Sequence, residues 1–203
     1  MRVSLDTGPP QFTAPPGSVD EAGFRWRSFV DQLDSLSFPR SGYGGTLEVI
    51  GARKSLGSDT QFTRAEATGT FVQSFGEHTF QVGVKLGQRL CSDPLPATRM
   101  FQWGGMLQQS GYPTGALLGE DLRFARLMYY QRVARWRLLE GVYAGGSLEV
   151  GRMGKPLIPG NHEGTLRSAS LLLGVDTPLG PLYLSYGRAA GGYDSVYLFL
   201  GRP

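Results

Sequence analysis

The sequence has 203 residues, which suits one domain, and it contains 30 glycines and 18% charged residues. Average proteins have about 7% glycine and about 25% charged residues, so this composition favours many tight turns. The formal net charge is only +3, and the basic residues form no run. Nucleic acid is therefore excluded as an expected partner, because proteins that bind it cluster their basic residues.

Membrane-spanning helices, disulfides and zinc sites are not expected from this sequence. No apolar run approaches the roughly 20 residues of a membrane helix, and Cys91 is the only cysteine. Cys91, His78 and His162 lack neighbours that would complete a metal site, so we expect ordinary loop positions and no metal or cofactor. The segment that begins at Met1 lacks the apolar core of a signal peptide.

Alternation of apolar and polar residues at period 2 dominates the chain and predicts β-strands. In residues 80–87 (FQVGVKLG), every second residue from Phe80 to Leu86 is apolar. Residues 1–6 are a candidate tenth strand beside nine clearer ones. In chain order the nine are residues 24–35, 46–49, 64–71, 80–87, 124–133, 142–150, 168–176, 182–188 and 196–201.

The predicted connections alternate between short and long. Short turns on one side and long loops on the other are typical of outer-membrane barrels, although soluble barrels and sandwiches also mix loop lengths. The short connections are residues 38–42, 75–78 and 177–181, and the long ones are residues 8–23, 91–121 and 151–165.

Aromatic residues lie mostly near the ends of the predicted strands, where an interfacial girdle of a membrane protein would lie. Alternation alone does not say which face of a strand is inside, so a sandwich core remains an alternative for these side chains. The residues are Tyr129, Tyr130, Trp136, Tyr143, Tyr183, Tyr186, Tyr193 and Tyr197.

Five motifs, in order along the chain, resemble the C-terminal barrel of the bacterial outer-membrane surface-antigen superfamily. Within it, the lumen-loop motif and the final motif look most similar to patatin-like phospholipase autotransporters (type V secretion, class d). The motifs are residues 29–34 with 38–43 (FVDQLD, FPRSGY), 101–105 with 110–112 (FQWGG, SGY), 145–151 (GGSLEVG), 176–184 (DTPLGPLYL) and 197–203 (YLFLGRP).

The resemblance implies an all-β fold, an antiparallel transmembrane β-barrel in the bacterial outer membrane. Residues 1–203 form one barrel domain, in which residues 1–23 are a partial strand and extracellular loop and residues 91–121 are a lumen loop. The superfamily typically closes with about 16 strands, and we predict 9–10 here. This chain is then part of a larger barrel, forms a smaller one, or joins a second copy.

The resemblance also implies the residues of a contact between the lumen loop and the barrel wall. Ser110, Gly111 and Tyr112 form the tip of the loop, and Glu149 holds the acidic position of the wall. Most of the superfamily has an arginine where this sequence has Ser110. Another cation is therefore expected to partner Glu149, because a charge inside a barrel wall needs one.

Three arginines are candidates for ion pairs inside the lumen. Arg126 and Arg152 are candidate partners of Glu149. Arg64 shares a strand face with Glu66, which suits an ion pair in the lumen more than catalysis.

By resemblance, the barrel anchors or translocates an N-terminal passenger, a patatin-like phospholipase that is not in this chain. The expected partners are outer-membrane lipid, the barrel-assembly machinery, the covalently linked passenger and a second copy of the chain. Because an outer-membrane protein must be exported, the missing signal peptide suggests a piece of a longer protein. The alternatives are a stand-alone outer-membrane pore or structural barrel, and a soluble lipocalin-like barrel that binds a ligand.

No catalytic residue is expected in these 203 residues. A patatin-type lipase needs a Gly-x-Ser-x-Gly elbow, in which a sharp turn after a strand exposes the serine. Residues 145–149 (GGSLE) lack the final glycine and lie in a predicted strand. Asp31 and Asp34 lie on opposite faces of a strand, which disfavours paired acid/base work.

Overall fold

The computed structural model describes residues 20–35, 37–136, 139–158, 164–177 and 179–201, with residues 135, 136, 139 and 140 described by their backbone alone. The predicted strand at residues 1–6 and His162 lie outside the described residues. So do most of the predicted loop 8–23 and the side chain of Trp136. In the described part no helix is long and apolar enough to cross a membrane.

The described chain folds into ten strands, together with 3-10 turns at Lys54–Leu56 and Ala97–Arg99. The strands are β1 Gly23–Asp31, β2 Ser41–Ala52, β3 Phe62–Phe75, β4 His78–Arg89, β5 Phe101–Trp103, β6 Leu117–Trp136, β7 Leu139–Pro156, β8 Thr165–Thr177, β9 Gly180–Ala189 and β10 Asp194–Leu200.

All ten strands belong to one antiparallel sheet, which confirms the predicted all-β antiparallel class. The order is β1-β2-β3-β4-β6-β7-β8-β9-β10, so each long strand lies beside the next long strand of the chain, and the short β5 pairs with β6 off this path. The described sheet is open, with β1 and β10 at its two edges.

Strands meet at two ends of the sheet, which we call the turn end and the loop end. The turn end holds the connections β1–β2, β3–β4 and β8–β9. The loop end holds β2–β3, the long segment between β4 and β6, and β9–β10. The predicted alternation of short and long connections is found only in part: β3–β4 and β8–β9 are short and β4–β6 is long, but β1–β2 is as long as β2–β3, and β9–β10 is short although it lies at the loop end.

Several predicted bounds were wrong, because pairing between strands extends them beyond the alternating sequence. β6 begins at Leu117, inside the predicted loop 91–121, and β7 continues to Pro156, inside the predicted loop 151–165. Gly119 pairs with Pro156, so the two strands lengthen each other. β2 likewise takes in residues 41–42 of the predicted turn, and β5 was not predicted at all.

The two faces of the sheet differ in composition and in exposure. In β8, Leu166, Ser168 and Ser170 are buried, whereas Leu171 and Leu173 on the opposite face are exposed. We call the buried side the inner face and the other side the outer face. Exposed apolar side chains continue along the outer face from β2 to β10. They include Leu47, Phe71, Val82, Val84, Leu127, Leu148, Val150, Leu171, Leu173, Leu184, Val196 and Leu198.

Aromatic side chains fill the inner face at the turn end. Phe38, from the β1–β2 turn, stacks on Tyr143 of β7 with ring centroids 4.0 Å apart. Tyr183 of β9 donates a hydrogen bond to the Ser37 carbonyl at 2.9 Å. Because a turn next to β1 contacts strands far along the sheet order, the sheet curves around its inner face. Tyr130, Tyr143 and Tyr183 are therefore buried packing residues, and the predicted girdle is wrong for them.

A second buried cluster lies at the loop end of the inner face. It includes Phe101 and Trp103 of β5, Leu122 and Phe124 of β6, and Met153 of β7. The Trp103 and Phe124 rings meet edge to face at 5.4 Å. The two clusters bracket a more polar middle section of the inner face, where the candidate site lies.

Candidate functional site: a loop fastened to the inner face

Residues 104–116, between β5 and β6, cross the inner face of the sheet, and we call them the crossing loop. Leu107, Gln109, Ser110, Gly111 and Tyr112 in it are all buried. Loop backbone usually stays at the surface because its polar groups need partners. Here the polar backbone groups of the loop bond partly within the loop and partly to side chains of the sheet. The position of the loop on the sheet depends on the second group of contacts.

The centre of the contact is Glu149 of β7, which is 4% exposed. Ser110 donates to its carboxylate twice, from the backbone N–H at 2.5 Å and from the hydroxyl at 2.8 Å. Ser147 Oγ at 2.6 Å and Ser168 Oγ at 2.9 Å supply two further hydrogen bonds. A buried carboxylate is costly unless its lone pairs are filled, and here four donors fill them.

Arg126 contributes positive charge beside this carboxylate without pairing with it directly. It lies opposite Glu149 in the β6–β7 ladder. Its Nη1 donates to the Leu107 carbonyl of the crossing loop at 2.8 Å. Arg126 thus fastens the loop backbone while Glu149 fastens Ser110, and the two charges lie on neighbouring strands.

Arg152 does not partner Glu149. It is three residues further along β7, which places it on the outer face, where it is exposed. Successive side chains of a strand alternate between faces, so residues 149 and 152 point to opposite sides. The predicted pairing fails for this reason, and serine hydroxyls and a backbone N–H take the place of the expected cation.

Two glycines allow the close approach of the crossing loop to β9. A Cβ added at Gly187 of β9 would lie 2.5 Å from Ser110 Cβ and 2.8 Å from Gly111 N. A Cβ added at Gly111, whose φ is +104°, would lie 2.5 Å from Ala189 N. Any side chain at position 187 or 111 would therefore displace the loop from the wall.

The tip of the crossing loop also reaches β10. Gly111 N donates to Tyr197 Oη at 3.2 Å, and that hydroxyl donates to the Tyr112 carbonyl at 2.7 Å. Ser195 Oγ donates to the Gly111 carbonyl at 3.0 Å. The loop therefore contacts β6, β7, β9 and β10, and it ties together the half of the sheet that ends at the β10 edge.

Arg64 and Glu66 form part of a separate charge network on the inner face of β2–β4. Arg64 Nη2 lies 3.3 Å from Glu66 Oε2, and Lys85 Nζ lies 3.3 Å from Glu66 Oε1. Glu48 lies directly opposite Glu66 in the ladder and pairs with Arg25 at 2.6 Å. The alternating charges partner one another, so this network resembles a structural lining more than a catalytic centre.

Sequence reasoning missed Ser147, Ser168, Lys85, Glu48 and Gly187. The first four lie on the polar sides of alternating segments, so the pattern held a signal for their face. Their partners depend on strand register and on where the crossing loop lies, which alternation does not specify. In the described part of the chain, no group of three or more His, Cys, Asp or Glu side chains could hold a metal ion.

Comparison with protein families and with curated proteins finds no match. No protein-family model matches the sequence, and a search of curated proteins finds no match. The superfamily resemblance therefore depends on the five motifs, and the function that it implies is a proposal.

Proposed function

We propose that this chain forms the wall of a transmembrane β-barrel in the bacterial outer membrane and that it anchors or exports an N-terminal passenger. The observation that carries the proposal is the contrast between an exposed apolar outer face and a polar inner face. Soluble monomers rarely expose contiguous apolar patches larger than about 300–600 Å². Here exposed apolar side chains run across neighbouring strands from β2 to β10.

The middle of the sheet carries the contrast most clearly. On the outer face, Leu148, Leu171 and Leu198 are 65%, 70% and 73% exposed. On the inner face, Glu149 and Ser170 are buried beneath the crossing loop or beside its contacts. Apolar residues outside and polar residues inside are the arrangement of outer-membrane barrels. A soluble lipocalin-like barrel would need the reverse arrangement.

The proposal requires closure of the sheet, because unpaired backbone groups in lipid cost several kcal/mol each. β1 and β10 are the two open edges of the described sheet. A second copy of the chain, or strands from elsewhere in the protein, would pair with these edges. Barrel-assembly machinery and outer-membrane lipid are the expected partners for that step.

An anchor or export role is favoured over an open pore, because the crossing loop occupies the inner face. Its contacts with Glu149, Arg126 and Tyr197 hold it against the wall. An open pore remains the second candidate, favoured by the charged inner surface at Arg64, Glu66 and Lys85. Single-channel conductance in planar bilayers separates these roles, since a sealed anchor would not conduct while the loop is in place.

The first test is to refold the 203 residues into detergent and compare unheated with boiled samples on a gel. A shift in mobility together with β-rich circular dichroism supports the proposal, because folded outer-membrane barrels resist denaturation until heated. A soluble, monomeric protein that stays folded without detergent would contradict it and favour the lipocalin-like alternative.

The passenger role needs a test in cells. A signal peptide and a reporter domain are fused upstream of the chain and expressed in a bacterium with an outer membrane. We expect the reporter in the outer-membrane fraction, exposed to added protease if it is exported. The same fusion carrying Leu148→Asp and Leu171→Asp is the matched control, and it should lose membrane retention. Equal retention of both fusions would contradict the proposal.

A further inference from the structure

Three arginines lie on the outer face close to the loop end, on three neighbouring strands. Arg123 of β6 lies directly opposite Arg152 of β7, and Arg167 of β8 lies opposite Val150 of β7. All three arginines are exposed. None of them takes part in an ion pair or side-chain hydrogen bond with another described residue. Like charges directly opposite in a ladder are destabilising, so Arg123 and Arg152 gain from an anion between them.

Two grooves on the outer face adjoin these arginines. The upper groove has a volume of ≈ 610 Å³, and its lining includes Leu86, Arg123 and Arg152. The lower groove has a volume of ≈ 440 Å³, and it lies further from the loop end. The exposed surface of its lining is mostly apolar and is formed by Val82, Ala125, Leu127, Leu148 and Val150, with Arg167 at one side. Arg126, Glu149 and Ser168 also line it, and these three side chains are engaged in the contacts of the crossing loop on the inner face.

The two grooves lie one after the other along β6. Arg123 and Ala125 are successive residues on the same strand face, about 6.6 Å apart at about 3.3 Å per residue. Ala125 is the small residue between larger neighbours, so its short side chain deepens the lower groove. A charged region thus leads directly into an apolar one, which is the pattern of a ligand with an anionic head and an apolar tail.

The carboxylate of Asp121 also lines the upper groove, and its negative charge offsets part of the positive charge of the arginines. Asp121 Oδ1 accepts a hydrogen bond from Arg89 N at 3.3 Å. Asp121 forms no described ion pair with Arg123 or Arg152. Two arginines in the upper groove and Arg167 beside it therefore leave an excess of positive charge.

We propose that this surface binds one anionic phospholipid, with its phosphate between Arg123 and Arg152 and an acyl chain in the lower groove. Guanidinium groups bind phosphate oxygens through paired, charge-assisted hydrogen bonds. A free phosphate ion would satisfy the arginines but would leave the apolar groove empty. This inference rests on the proposed function, because the outer face must contact lipid for the site to be used.

The test uses the full chain, refolded in a non-ionic detergent and shown to shift on the gel. Native mass spectrometry then follows titration with phosphatidylglycerol, with phosphatidylcholine of the same acyl chains, and with inorganic phosphate. We expect phosphatidylglycerol to bind about tenfold more tightly than phosphatidylcholine, which corresponds to about 1.4 kcal/mol. Inorganic phosphate should bind far more weakly than either lipid.

Three variants assign the site. Arg123→Gln with Arg152→Gln should abolish the preference for phosphatidylglycerol. Arg188→Gln is the matched control, because Arg188 is also exposed on the outer face near the loop end but lies opposite Asp194. It should keep the preference. Ala125→Leu fills the lower groove and should weaken binding of phosphatidylglycerol without changing the binding of phosphate.

Each contrary result overturns the inference at a separate step. Equal binding of the two lipids, or equal loss in Arg188→Gln, would remove the anionic lipid site. Phosphate binding as tight as lipid binding would reduce the site to a free-phosphate site. A chain that stays folded, soluble and monomeric without detergent would contradict the proposed function itself, and the inference with it. A chain that shifts but shows no lipid preference would contradict the inference alone.

Discussion

The outer and inner faces of the sheet differ most clearly at two consecutive residues of β7, Leu148 on the outer face and Glu149 on the inner face. Leu148 is 65% exposed, whereas Glu149 is 4% exposed and accepts four hydrogen bonds. A protein that folds in water normally has the reverse arrangement, because burying apolar groups and leaving charged groups in the solvent are both favourable. The difference teaches that the outer face suits a less polar medium than the inner face does.

The largest expected effect is that of a charge on the outer face. In lipid, Leu148→Arg should lower the free energy of unfolding by about 2–4 kcal/mol, the cost of arginine near the midplane. In water, an exposed substitution would change stability by about 0.5 kcal/mol or less. The measurement is urea unfolding of wild type and variant in phospholipid vesicles, followed by circular dichroism.

Leu179→Arg is the control for that measurement. Leu179 is 87% exposed but lies in the β8–β9 turn, outside the strands. It should leave the unfolding curve almost unchanged. Equal, small effects of both variants would show that the outer face does not contact lipid, and the contrast between the faces would lose its explanation.

The second largest effect is expected from a change on the inner face, at Glu149. Glu149→Ala removes the acceptor of four hydrogen bonds, and an unsatisfied buried donor costs about 1–3 kcal/mol. We expect this variant to release the crossing loop and to lower the temperature at which the unheated band on the gel is lost. The wild type and the variant are compared over a temperature series.

Lys54→Ala is the matched loop-charge control, because Lys54 is exposed in the β2–β3 connection. It should behave like the wild type, and Glu149→Gln should fall between the two because the amide keeps one acceptor oxygen. If Glu149→Ala loses the unheated band at the same temperature as the wild type, the contact with Ser110 does not stabilise the fold.

The third effect tests the contact from the side of β9. Gly187→Ala would place a Cβ 2.5 Å from Ser110 Cβ, so either the loop or the strand must move. Overpacking of this kind costs about 1–3 kcal/mol. We expect faster cleavage of the crossing loop by added protease. Gly83→Ala is the control on the same face, since its nearest neighbour would lie 3.5 Å away in ordinary contact. Equal cleavage of the two variants would contradict close packing at Gly187.

Much of the strand content could be predicted from the sequence, because apolar and polar residues alternate where the two faces of a strand lie in different surroundings. β4 and β8 alternate cleanly and were found with small errors at their ends. The inner side was harder to predict, since alternation does not say which face is buried. Tyr130, Tyr143 and Tyr183 were predicted at an interface, and they pack on Phe38 instead.

The candidate site depended on information that spacing does not contain. The lumen-loop motif pointed to Ser110 and the wall motif to Glu149, which lie 39 residues apart and form a hydrogen bond. Ser168 joins them only because β7 and β8 pair in the register that places it opposite Glu149. Register and loop position are set by packing across the whole sheet, so residues such as Ser168 could not be assigned from local pattern.

The smallest effect is expected from a change at Glu77, which lies in the β3–β4 turn at the turn end of the sheet. Glu77 lies 2.8 Å from Arg132 Nη2 and 3.2 Å from Arg40 Nη1. Hydrogen bonds from Arg132, and then from Arg40, lower the pKa of Glu77 below its ordinary value of 4.5. A lowered pKa stabilises the folded state above the unfolded value, and this contribution is lost as pH falls through the folded value.

Glu77→Gln should therefore destabilise the protein slightly at neutral pH and match the wild type below the folded pKa. The pKa of Asp34 is also lowered: burial raises it, but hydrogen bonds from Arg40 and Ser41 outweigh burial. Asp34 is present in both proteins, so the difference between their urea midpoints isolates Glu77. Glu77 is exposed, and salt screens such pairs, so high salt should reduce the difference. A midpoint difference that does not change with pH would mean that the charge of Glu77 contributes nothing to stability.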